Sequence, residues 1–113
     1  MKNILVPTDF SGNATHAIRF ALELSRKQKS KITLFHSFVL PVYATDIPVF
    51  PQADEELRKV SEEALSNLVS KLKAENPGVD IDSFVSQGYA EDEIVDAAKS
   101  SGADMIVMGT QGA

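Results

Sequence analysis

The sequence predicts an α/β fold, a parallel sheet covered by helices, and three observations carry that expectation. Short apolar, β-branched runs alternate with stretches of helical periodicity in the order strand, helix, strand, helix, strand, helix, strand. Alternation of this kind gives a parallel sheet with right-handed crossovers. Next, the first apolar run, Ile4-Leu5-Val6, and the last, Met105-Ile106-Val107-Met108, are each followed by a turn of small polar residues. Finally, in an open parallel sheet ligands bind beyond the carboxyl ends of the strands, where the strand order reverses. The turns Pro7 to Ser11 and Gly109 to Gly112 are therefore expected to face one crevice.

The elements follow from local chemistry. Met1 to Val6 is a short apolar strand, and Pro7, lacking an N–H, is expected to end its hydrogen bonding. Ser11 is a helix cap. Ala14, Ala17, Ile18, Ala21 and Leu22 then recur at helical spacing, with Arg19, Glu23 and Arg26 largely opposite. Ile32 to His36 is the second strand, β-branched and apolar. Residues 38–54 hold Pro41, Pro48 and Pro51 among many apolar groups. Proline forbids a regular helix or central strand there, and the apolar content marks a lid over the crevice or a partner surface. Asp54, Glu55 and Glu56 open a second helix, where acids suit the positive end of the dipole. Its inward stripe is read as Leu57, Val60, Ala64, Leu68 and Leu72, and Asn76-Pro77-Gly78 stops it. Val79 through Val85 alternates as a half-exposed edge strand. Gly88 turns the chain into a third helix opened by Glu91, Asp92 and Glu93, with Ile94, Val95, Ala97 and Ala98 inward. Ser100-Ser101-Gly102 closes it. The final strand, with four apolar residues in a row, reads as buried on both faces.

Composition sets limits on function. The chain has 113 residues, 43% of them apolar and 24% charged, as in an ordinary globular domain. It has no cysteine, which excludes disulfides, thiolate metal sites and a cysteine nucleophile. No apolar run approaches the roughly 20 residues of a membrane span, and the N-terminus enters a strand without a signal-peptide pattern. A cytoplasmic location is the expectation. A net charge of -5 argues against duplex nucleic acid as the main partner. It leaves nucleotides open, because helix N-termini and backbone N–H groups bind phosphate without net positive charge.

Few residues carry chemistry. Asp9, just past a buried strand, can accept from ribose hydroxyls or help hold a metal, and can equally be a turn residue bonded to its own backbone. Gly109 and Gly112 bracket a turn in which Gly109 is expected to take angles closed to a side chain, and Gly112 to let backbone approach a ligand. An ordinary strand-to-helix turn is the plain alternative. The turn is not a Walker A motif, since no Gly-Lys-Ser/Thr follows. His16 and His36, without a third nitrogen or a thiolate ligand, make a zinc site a poor reading. A Ser11, His36, Asp9 triad lacks a nucleophile elbow. Glu91-Asp92-Glu93 is most simply a helix start.

Taken together, these pieces resemble the universal stress protein family along the whole chain. Ile4-Leu5-Val6-Pro7-Thr8-Asp9-Phe10-Ser11 is similar to that family's first strand and loop, and Leu34-Phe35-His36-Ser37 to its second strand. Gly88 with Glu93-Ile94-Val95 is similar to its third turn and helix, and Asp104 through Gly112 to its fourth strand and the opening of its glycine motif. The resemblance implies a Rossmann-like sheet of order 3-2-1-4-5, here 3-2-1-4, with the fifth strand and fourth helix missing. It further implies an adenine nucleotide, ATP with or without Mg²⁺, and a regulatory part in the stress response. In ATP-binding members Pro7, Thr8 and Asp9 would lie at the adenosine and the backbone at Ser37 at the adenine edge. Met108, Gly109, Gln111 and Gly112 would run beside ribose and phosphates. The family pattern Gly-x2-Gly-x9-Gly-Ser/Thr is present only in its first half, so the resemblance implies weakened ATP binding and an incomplete domain at 1–113. The implied partner is a second copy of the chain, as a homodimer or by edge-strand pairing. A non-nucleotide interaction module of the same family is the alternative, and slow ATP hydrolysis is the most that catalysis would amount to.

Overall fold

The computed structural model describes residues 2–39 and 51–109. Strand β1 is Asn3–Pro7, helix α1 Gly12–Gln28, strand β2 Lys31–Phe38 and helix α2 Pro51–Glu75. Strand β3 is Ile81–Gln87, helix α3 Ala90–Ser101 and strand β4 Met105–Ile106. The described strands form one parallel sheet in the order β3-β2-β1-β4. The expected fold class and strand order are therefore those found. The order reverses between β1 and β4, whose register pairs Ile4 with Met105 and Leu5 with Ile106.

Two apolar layers hold the sheet. On one face Ile4, Val6, Ile32, Leu34 and Ile81 meet Ala17, Ile18, Ala21 and Leu22 of α1 and Leu65, Val69 and Leu72 of α2. On the other, Leu5 and Phe35 meet Ala97 of α3, with Phe84 and Ile94 packed alongside. Alternate residues of β1 and β2 thus point into opposite layers, as a strand's period of two requires. Helix α1 comes close to the sheet because its inward face is rich in alanine, and Ser11 caps it by accepting from the Ala14 N–H at 3.3 Å. All five residues expected on that face are buried.

Several expectations need correction. Pro7 is the last residue of β1 but does not end its hydrogen bonding: it stays in register with Phe35, and the next amide, Thr8, donates to the Phe35 carbonyl at 2.7 Å. Helix α2 starts at Pro51 rather than Asp54, a position where proline's missing N–H costs nothing. Its inward stripe is Ser61, Leu65, Val69 and Leu72, whereas Val60 is 63% exposed and Ala64 is exposed. Val95 of α3 points outward as well. The largest departure is β4. It is two residues long at the edge of the described sheet, and Met105 and Ile106 are 37% and 42% exposed. Burial on both faces needs a neighbour on each side and a layer above and below. Among the described residues β4 has β1 on one side only.

Candidate functional site

Because every strand runs the same way, the carboxyl ends of β1, β2, β3 and β4 share one rim. Pro7, Thr8 and Asp9 leave it from β1, Ser37 from β2, and Met108 and Gly109 follow β4. Gln111 and Gly112 lie outside the described residues, as does most of the 38–54 segment.

The β1–α1 loop is built by its own side chains. Thr8 is buried, its Oγ1 accepts from the Phe10 N–H at 3.1 Å, and its carbonyl lies 2.8 Å from Nδ1 of His36. Asp9 is exposed, and its Oδ1 accepts from the Ser11 N–H at 2.9 Å. The hydroxyl and amide of Ser11 hold the Asp9 carboxyl below its ordinary value of 3.8, with a smaller contribution from the nearby His36. Asp9 is therefore an ionised acceptor at neutral pH. One oxygen serves the turn, as the plain reading of this residue expects, and the group as a whole faces solvent. Phe10, between Asp9 and Ser11, has φ +64°, a conformation uncommon for a bulky side chain.

The β4 turn meets this loop through Gly109. A Cβ at Gly109 would collide with the carbonyl oxygen of Asn13 and come within 2.6 Å of its carbonyl carbon and 3.1 Å of the Ala14 nitrogen. The backbone after β4 thus lies directly on the first turn of α1. Gly109 does not have positive φ. The need for glycine there is space, not the freedom of angle that the sequence suggested. Val107 keeps the β1 pairing going past the strand by donating to the Leu5 carbonyl at 2.9 Å.

The structure therefore brings Pro7, Thr8, Asp9, Ser37, Met108 and Gly109 to one rim, with the turn after β4 in contact with the first turn of α1 across the Asn13–Gly109 approach. These residues differ in what they offer. Thr8 has its amide engaged by the Phe35 carbonyl of β2 and its Oγ1 by the Phe10 N–H, while Asp9 and Met108 present open surface, Met108 at 54% exposure. Asn13 and His36 were not read from the sequence as part of this arrangement. Asn13 acts through its main chain, which no side-chain pattern signals. Sequence patterning presents His36 as a candidate ligand or base and as part of the second-strand stretch, whereas the structure has it holding the β1–α1 loop. Among the described residues no three His, Cys, Asp or Glu side chains are grouped to hold a metal ion. A concavity of about 440 Å³ lies elsewhere, between α1 and α2, and includes Arg19, Arg26 and Lys71 in its wall.

An open parallel sheet with helices on both faces, and a carboxylate and a glycine main chain at its reversal point, defines a Rossmann-like α/β protein. The sequence profile of the universal stress protein family matches residues 1–113, and the chain belongs to that family. It is similar to a universal stress protein of Methanocaldococcus jannaschii, 31% identical over 120 residues. That match covers 98% of this chain and 65% of the archaeal protein, so the chain spans just under two thirds of that relative's length. Among solved structures it is similar to a universal stress family protein from Burkholderia pseudomallei, with a TM-score of 0.79 at 23% identity over 96% of this chain and 81% of the other. It is also similar to a universal stress protein in complex with cAMP, with a TM-score of 0.68 at 18% identity over 94% and 74% of the two chains. At those identities the two structures share the fold. No helix among the described residues is long and apolar enough to cross a membrane.

Proposed function

We propose that this chain binds an adenine nucleotide, ATP with Mg²⁺, at the carboxyl rim of β1 and β4, and acts in the cytoplasm as a regulator of the stress response. The observation that carries the reading is the contact of Gly109 with the start of α1 next to the ionised Asp9. Bare main chain at a helix N-terminus suits phosphate, because the first-turn N–H groups lack helical partners. A carboxylate at the end of the neighbouring strand suits ribose hydroxyls, which donate to it. Ser37, at the end of β2, offers main chain for the adenine edge. The likeness to a protein crystallised with cAMP, itself an adenine nucleotide, supports the class of ligand. When bound, the metal would neutralise phosphate charge; the described residues would orient the nucleoside.

Calorimetric titration with MgATP tests this. The native chain is expected to give saturable heat, and Asp9→Ala to weaken binding about tenfold, the loss of one charge-assisted hydrogen bond. Absence of heat from the native protein would remove the reading. A second reading has its own observation: exposed Met105, Ile106 and Met108 at the sheet edge favour an interaction module that works through pairing with another copy. Under that reading Asp9→Ala leaves function unchanged.

A further inference from the structure

We infer that His36 is a positioning residue, which sets the direction of the Asp9 carboxylate by clamping the residues on either side of it; the inference rests on the nucleotide reading above. His36 is half-buried near the end of β2, one residue past the Phe35–Pro7 register pair. Its Nδ1 lies 2.8 Å from the Thr8 carbonyl oxygen. A carbonyl only accepts, so Nδ1 carries the proton and, in the neutral ring, Nε2 is the bare nitrogen. The same ring packs on Phe10, with centroids 4.8 Å apart and planes inclined at 50°. One imidazole therefore holds the residue before Asp9 by a hydrogen bond and the residue after it by ring contact.

That double hold has a purpose the backbone makes visible. Phe10 is at φ +64°, a conformation that persists in a bulky residue only when its surroundings enforce it. Three constraints do so: the His36 ring, the Phe10 N–H bond to Thr8 Oγ1, and the Ser11 N–H bond to Asp9 Oδ1. Two are internal to the loop. Besides the Thr8 amide bond to Phe35, His36 is the described tie between the loop and the sheet. Without it the loop keeps its short-range bonds and the Thr8–Phe35 tie at its base, its orientation to the rim loosens, and Asp9 is freer to turn. A ligand group that must meet Asp9 and Gly109 together then loses one of its two anchors.

Two substitutions separate the ring from the donor. His36→Phe keeps a flat ring against Phe10 and deletes the donor; His36→Asn places an amide N–H near the position of Nδ1 and deletes the ring. His36→Phe is expected to weaken MgATP binding five- to tenfold, roughly one hydrogen bond. It should also speed amide exchange at Phe10 and Ser11 about tenfold, with Ile4, Leu5 and Val6 unchanged. His36→Asn should recover more than half of both losses. In the native protein, ¹⁵N imidazole spectra should show the proton on Nδ1. Binding and exchange in His36→Phe within about twofold of native, or a native ring protonated on Nε2 alone, would overturn the inference. If the native chain binds no nucleotide, the functional reading fails separately, and the exchange and tautomer measurements still decide whether His36 holds the loop.

Discussion

At the scale of residues, the site is a set of small choices made by neighbours. Gly109 is glycine because the start of α1 occupies the space of a side chain. Gly109→Ala forces either β4 or the first turn of α1 to move, and overpacking of this kind costs about 1–3 kcal/mol. Its thermal midpoint should fall by several degrees, and an unchanged midpoint would show that the two turns are not in contact. Asp9 gives a second measurable sign. Its folded carboxyl is held below 3.8 by Ser11. Such a group contributes stability that is present above the unfolded value and disappears as the pH falls through the folded one. Thermal melts of the native protein and Asp9→Asn should therefore differ at about pH 6, and the gap should close as the pH falls below 3.8 and through the lower folded value. A gap that persists in acid would mean that the side chain's role is steric, not ionic.

At the scale of elements, α2 shows where sequence patterning is informative and where it is not. The periodicity of α1 gave its buried face residue by residue, because alanine, isoleucine and leucine there contrast with arginine and glutamate opposite. Helix α2 carries apolar groups on more than one side, Leu57 and Val60 as well as Leu65 and Val69. The stripe read from them was rotated from the real one, which includes a buried Ser61. A polar residue in the core and a valine on the surface defeat a hydrophobic count. The phase is directly testable: Leu65→Ala should cost about 2–5 kcal/mol in denaturant melts, and Val60→Ser should stay within about 0.5 kcal/mol of native. The reverse ranking would restore the stripe expected from sequence. The alternation of elements and the β1 and β4 turns were legible because apolar runs and glycines announce them, whereas the full strand order came from the family resemblance. The His36–Thr8 tie was not, because it joins a side chain to a main-chain carbonyl 28 positions away, and no local pattern records such a partner.

At the scale of the whole molecule, the described helices cover the described sheet unequally. On one face α1 and α2 lie over β1, β2 and β3; on the other α3 covers β1 and β2. Among the described residues β4 borders the sheet with Met105 and Ile106 part-exposed, and an apolar strand at a sheet border is a template for another strand. β3, at the opposite border, differs in chemistry. It carries Asp82, which pairs with Lys31 at 2.8 Å, and puts charge where edge pairing would begin. Native sheets use charge at an edge to discourage association, so any self-association is expected through β4 rather than β3. In sedimentation experiments the average mass should rise above the 12.3 kDa of one chain as concentration increases. Ile106→Lys should hold it at that value, since a lysine at the edge must be stripped of water to pair. Ser83→Lys, the same charge placed on β3, should leave the association intact. Equal loss from both variants would show that general repulsion, not the β4 edge, governs assembly, and a native protein that stays at 12.3 kDa throughout would remove the dimer from the proposed function.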